Sequence, residues 1–114
     1  MPRVVRAAAS ALLALTLGLA GCSAPAGRTP VVAVATTTQL GSVVGDIVAC
    51  AGGTWSTLMT PGLDPHEFSL SSAEVAGMER ARLVVANGLG LEGGMASALA
   101  NVVRDGGRVY DAAA

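Results

Sequence analysis

Two short apolar runs that do not alternate, Val31 to Thr36 (VVAVAT) and Arg82 to Ala86 (RLVVA), constrain the fold of this chain more than any other feature. A β-prone stretch without a polar face suits a strand covered on both sides, as in a parallel sheet held between helices. The residues after each run agree. Thr38 is placed to cap a helix over 39–51, where Leu40, Val43, Val44, Ile47 and Ala51 form a stripe and Gly52 and Gly53 end it. Trp55 to Met59 is a second strand candidate. Beyond the loop 60–70, Ser71 and Glu74 have capping-box spacing for a helix running to about Arg80. Asn87 to Gly94 turns the chain after the third strand, and Met95, Leu99, Val102 and Val103 give a further stripe. Gly106 and Gly107 close it, and Arg108 to Tyr110 opens a fourth strand. This alternation predicts an α/β fold, a doubly wound parallel sheet forming one Rossmann-like lobe over residues 30–114.

In such sheets the loops leaving the carboxyl ends of the strands share one edge, where ligands bind. Loops 36–38, 60–70 and 87–94 would therefore form a common rim, and two of them carry candidate chemistry. Gly88-Leu-Gly90-Leu-Glu-Gly93 is a literal G-x-G-x-x-G between a strand and a helix, and Asp111 lies about twenty residues on, as a dinucleotide fingerprint requires. Against that reading, the motif follows the third strand instead of the first, and Glu92 would set a carboxylate near the phosphate. A glycine-rich turn that only permits tight packing is the competing interpretation. An exported nucleotide-binding or enzymatic module using Gly88 to Gly93, or an inactive fragment, is the alternative function.

The second candidate is Asp64-Pro65-His66, in the loop TPGLDPHEFSL, which holds the only histidine of the chain. Proline fixes its own φ and biases the preceding residue to an extended form, so the loop presents His66 with little freedom left to lose. Neutral imidazole suits zinc, manganese or iron, and Asp64 or Glu67 could orient the ring nitrogen not used for metal. One histidine does not make a site, because a closed zinc centre takes about four ligands. An ordinary polar residue in a surface loop is the other reading. No serine or cysteine nucleophile is evidently paired with His66, so no catalytic residue is assigned.

Hydrophobic residues make up 52% of the 114 and charged ones 13%. Many of the apolar residues lie in the leader. Met1 to Arg6 carries two arginines and no acid, Ala7 to Ala20 is nearly all apolar, and Leu19 to Cys22 (LAGC) follows. A basic start, an apolar stretch short for a membrane span and small residues before a cut site form an export signal. Leu-Ala-Gly-Cys also resembles the lipobox of bacterial lipoproteins. The expectation is a lipoprotein signal peptide over 1–21, lipidation at Cys22, and a tether over 22–29. Removing the leader takes away Arg3 and Arg6 from a total of seven Lys and Arg against eight acids. The acidic remainder has none of the clustered positive charge that nucleic acid selects, so no nucleic-acid partner is expected. Cys50 is read as a small buried hydrophobe at the end of its helix.

Four segments together carry a family resemblance: VAVATTTQLGSVVGDIV at Val32 to Val48, the Gly52 to Met59 stretch, PGLDPHEFSLSSAEV at Pro61 to Val75, and ARLVVANGLGLE at Ala81 to Glu92. In this order and spacing they resemble the N-terminal lobe of the zinc- and manganese-binding solute-binding lipoproteins of ABC importers. The resemblance implies that His66 is a metal ligand on the cleft edge of that lobe and that Asn87 to Glu92 is a family turn, not a cofactor loop. It also implies a non-enzymatic protein on the outer face of the cell membrane. Such a protein takes zinc or manganese as cargo, needs no organic cofactor, and serves a permease and its ATPase. The resemblance also implies a second histidine, a further histidine or glutamate and a late acidic ligand, supplied from outside this stretch together with a linking helix and a second lobe. Those ligands would follow Ala114, and the chain is accordingly read as the N-terminal part of such a protein, without the C-terminal lobe. The identity of the metal stays open.

Overall fold

A computed structural model describes residues Val32–Ala114. The expected signal peptide over 1–21, Cys22 and the tether over 22–29 lie outside the described residues. Four strands, β1 (Val32–Ala35), β2 (Thr54–Thr57), β3 (Leu83–Ala86) and β4 (Val109–Asp111), alternate with three α-helices, α1 (Thr38–Cys50), α2 (Ser72–Arg80) and α3 (Ala96–Arg104). A 3-10 turn, Gly93–Met95, leads into α3. All strand pairs are parallel and the sheet order is β2-β1-β3-β4. The chain leaves β1 toward one edge and later returns past it to β3, so the strand order reverses between β1 and β3. In open α/β sheets that reversal is where the loops part and leave a crevice.

The expectation from the non-alternating runs holds. Ala33 and Ala35 of β1 pack with Val85 against Val44 and Val48 of α1. Val34 and Val84 point to the opposite face, where Met78 of α2 and Val102 of α3 cover them. Both faces of the central strands are dry, which is why neither strand shows a polar period.

Several local expectations shift. Thr37, not Thr38, caps α1: its backbone is extended (φ −113°, ψ 161°) and its side chain accepts from the Leu40 N–H at 3.4 Å. The hydroxyl must lie three residues before the N–H it satisfies, and Thr37 meets that spacing. The inward face of α1 is Gly41, Val44, Gly45 and Val48, whereas Val43 and Ile47 are 58% and 65% exposed. Two glycines set this face by letting the helix approach β2 closely. A Cβ at Gly45 would meet the Trp55 indole at 2.7 Å, and one at Gly41 would overlap the Thr57 side chain. Cys50, expected to be buried, is exposed on the last turn of α1 and is not a free thiol.

The second strand starts at Thr54 and ends at Thr57. The Leu58 and Met59 N–H groups still bond to the Ala35 and Thr36 carbonyls, so the chain runs on past β1 before it turns. The capping box of α2 forms as its spacing indicates. Ser71 Oγ accepts from the Glu74 N–H at 3.3 Å, and Glu74 Oε2 accepts from the Ser71 N–H at 2.7 Å. No helix among the described residues is long and apolar enough to cross a membrane.

Candidate functional site

At the reversal point the carboxyl ends of β1 and β3 are tied by one acidic side chain. Glu92 is only 4% exposed. Its Oε1 accepts from the Thr36 hydroxyl at 2.7 Å, from the Asn87 N–H at 2.5 Å and from Asn87 Nδ2 at 3.1 Å, while Oε2 accepts from the Gly88 N–H at 3.2 Å. Asn87 Nδ2 also donates to Thr37 Oγ1 at 3.0 Å, which brings the cap of α1 into the same network. Burial alone would raise the Glu92 pKa, but the hydrogen bonds from Thr36, Asn87 and Gly88 outweigh it and hold the carboxyl below its ordinary value. The group is an ionised carboxylate at neutral pH, with its donors already supplied by the protein.

This arrangement bears directly on the glycine motif. A dinucleotide site needs free backbone N–H groups pointing at a pyrophosphate. Here the Asn87 and Gly88 N–H groups are committed to Glu92, which fills the position with negative charge of its own. Asp111 comes close as well, since a Cβ at Gly88 would lie 3.1 Å from the Asp111 Cβ. The turn instead needs its glycines for backbone shape: φ is +86° at Gly88 and +76° at Gly90, and Leu89 between them is at +51° and 86% exposed.

His66 lies in the loop after β2, on the same rim, and is exposed. The loop is tightly wound. Asp64 Oδ1 accepts from the His66 N–H at 2.8 Å, and the Asp64 carbonyl accepts from the N–H groups of Glu67 at 3.2 Å and Phe68 at 2.9 Å. Asp64, expected to orient the imidazole, holds the His66 backbone in this structure. Glu67 is exposed beside it. The loop rests on the start of the 3-10 turn: a Cβ at Gly93 would stand 4.0 Å from His66 Nδ1, and one at Gly94 would stand 3.2 Å from the His66 carbonyl oxygen. Between the three rim loops is a cavity of about 280 Å³, lined by Thr37, Gln39, Met59, Leu63, Pro65 and Asn87 among others.

Among the described residues no three histidine, cysteine, aspartate or glutamate side chains gather into a metal-holding group. His66 is exposed and stands as a single imidazole donor, so a complete tetrahedral centre would need ligands from other residues. Glu92, weighed in the sequence only as an obstacle to phosphate, is the organiser of the rim. The one local signal for it is an acid inside a glycine-rich turn that directly follows a buried strand.

The comparisons with known proteins agree on the fold that carries these residues. The chain resembles the periplasmic zinc-binding protein TroA from Treponema pallidum, with 28% identity and a TM-score of 0.65 over 72% of this chain and 29% of TroA. It is also similar to a manganese-bound periplasmic metal-binding protein from Candidatus Liberibacter asiaticus, at 26% identity and a TM-score of 0.61 over 71% of this chain and 30% of the other. Zinc-bound AdcA from Streptococcus pneumoniae shares the fold at 17% identity and a TM-score of 0.62, over 73% of this chain and 18% of AdcA. A Thermotoga maritima protein described as metal-binding is 54% identical over 35 residues, 31% of this chain and 13% of that protein. The chain thus spans less than a third of each of these relatives. The family model described as zinc-uptake complex component A, periplasmic, matches residues 33–114, nearly everything the structure describes. With its parallel sheet, its histidine-bearing rim and a matched span of that extent, the chain belongs to the ZnuA family of periplasmic zinc-uptake components.

Proposed function

We propose that this chain is the N-terminal lobe of an extracytoplasmic zinc- or manganese-binding component of an ABC uptake system, and that His66 supplies one ligand to the transported ion. The ion is cargo, and the reading involves no catalysed reaction and no organic cofactor. One observation carries the proposal: the single histidine of a ZnuA-family chain lies exposed on the rim loop after β2, in a turn fixed by Asp64. Neutral imidazole is a donor for such ions, and Glu67 is available to accept from the ring nitrogen that does not bind metal. The remaining ligands would come from the portion of the longer relatives that this chain does not span. The partners would be a permease and its ATPase in the membrane.

Binding can be tested by zinc titration of the chain followed through the His66 imidazole resonances. A zinc-dependent shift that saturates supports the reading, and tight stoichiometric binding that survives His66→Ala overturns it. The export signal and lipobox imply a lipid-anchored protein facing away from the cytoplasm. A thioether at Cys22 would use the thiol that a disulfide with Cys50 would need. The intact mass of the mature protein distinguishes the two, since acyl chains add mass and a disulfide removes two hydrogens. A mature chain without added acyl mass would overturn the anchor.

A further inference from the structure

The metal reading above rests on His66, and the structure indicates what fixes that residue in place. The Asp64–Phe68 turn lies against the first residues of the 3-10 turn before α3, and two adjacent glycines there meet it very differently. A Cβ at Gly94 would fall 3.1 Å from the Phe68 carbonyl carbon, closer still to the Phe68 carbonyl oxygen, and 3.2 Å from the His66 carbonyl oxygen. These atoms belong to backbone, so they could yield only if the whole turn moved. At Gly93 a Cβ would lie 3.8 Å from the His66 carbonyl oxygen and 4.0 Å from Nδ1, ordinary contact distances. The platform beneath both glycines is itself immobilised, because the preceding residue is Glu92, bonded to the ends of β1 and β3.

We infer that Gly94 is a positioning residue of the metal site: its missing side chain lets the His66 turn seat directly on a platform that Glu92 anchors to the sheet. The inference rests on His66 being a ligand but makes a separate claim, that the imidazole is aimed from α3's side of the rim and not only by its own loop. Helix propensity would treat Gly93 and Gly94 alike. Seating of the turn separates them.

The test uses the whole chain, and the single histidine makes its imidazole spectrum a one-site readout. Gly94→Ala should move the metal-free His66 resonances and weaken zinc binding by about tenfold to a hundredfold, the range found when groups that orient a ligand are removed. Gly93→Ala should leave both nearly unchanged. Gly107→Ala is the control for packing cost, because its Cβ would meet the Val102 carbonyl oxygen at 2.8 Å, in the turn after α3. It should lower thermal stability without moving the imidazole signals. If Gly94→Ala fails to fold, Glu92→Gln decides, because it keeps the side chain's size while weakening the platform's anchor to β1 and β3; shifted imidazole signals in that folded variant support the claim. Unchanged signals and zinc affinity in folded Gly94→Ala, or in Glu92→Gln where that decides, would overturn the positioning role. A wild-type imidazole indifferent to zinc would instead remove the ligand reading on which it rests.

Discussion

The Glu92 knot and the His66 turn share one rim and are adjacent through Gly93 and Gly94, yet they use polar groups in opposite ways. Glu92 is buried, and its carboxylate accepts from four donors of three different residues. His66 is exposed and uses only its backbone N–H, toward Asp64. The first region directs its hydrogen-bonding capacity inward and gains rigidity. The second leaves its imidazole exposed, as the proposed ligand role requires. A binding loop benefits from this division, because a site on a stiff base loses less of its affinity to reorganisation when the ligand arrives.

Substitutions can break the contrast, and the largest expected effect is at the knot. Glu92→Ala would leave the buried Thr36 hydroxyl and the half-buried donors of Asn87 and Gly88 without an acceptor, and should cost about 3 kcal/mol in chemical denaturation. A loss below about 0.5 kcal/mol would show that water readily replaces the carboxylate. Acid should expose the same feature. Because the native pKa of Glu92 is lowered, its contribution is present above the ordinary carboxylate range near 4.5 and is lost as the pH falls through the native value. Glu74, lowered by its bonds from Ser71, acts in the same direction. Stability should therefore fall with acid below about pH 4.5, and Glu92→Gln should flatten that slope. An unchanged slope would assign the acid sensitivity elsewhere.

At the turn, Asp64→Ala removes one capping hydrogen bond in an exposed loop and should cost about 1 kcal/mol, with broadened His66 signals. His66→Ala should change stability least, by no more than about 0.5 kcal/mol, while abolishing measurable zinc binding by the chain in chelator competition. The residue with the largest expected effect on metal is thus the one with the smallest on stability. If Glu92→Ala proves harmless to folding and His66→Ala proves severe, the two regions have been assigned the wrong way round.

The fold was legible where local pattern and burial coincide. VVAVAT and RLVVA lack a period because both of their faces are covered, and absence of period is visible in a single sequence. The capping box at Ser71 and Glu74 was legible because three residues contain it. The face of α1 was misread because Val43 and Ile47 continue an apolar stripe that the helix leaves outside. What sets its orientation is the closeness of Gly41 and Gly45 to β2, and a glycine contributes nothing to a hydrophobic period. Thr36 and Glu92 are 56 residues apart, so no window-based pattern connects them. At the site, His66 was conspicuous as a lone histidine, but its seat on Gly94 depends on a missing atom, which has no signature in the sequence until the fold brings Phe68 beside it.

Trp55 is the only tryptophan of the chain, and its ring lies against α1 at Gly45 while remaining 45% exposed. Its emission therefore reports on one joint, the docking of the first helix on the edge strand β2. Circular dichroism would count helix whether or not α1 stays docked. Intrinsic fluorescence would register separation of the two surfaces, so the lobe carries its own optical gauge of that contact and needs no added label.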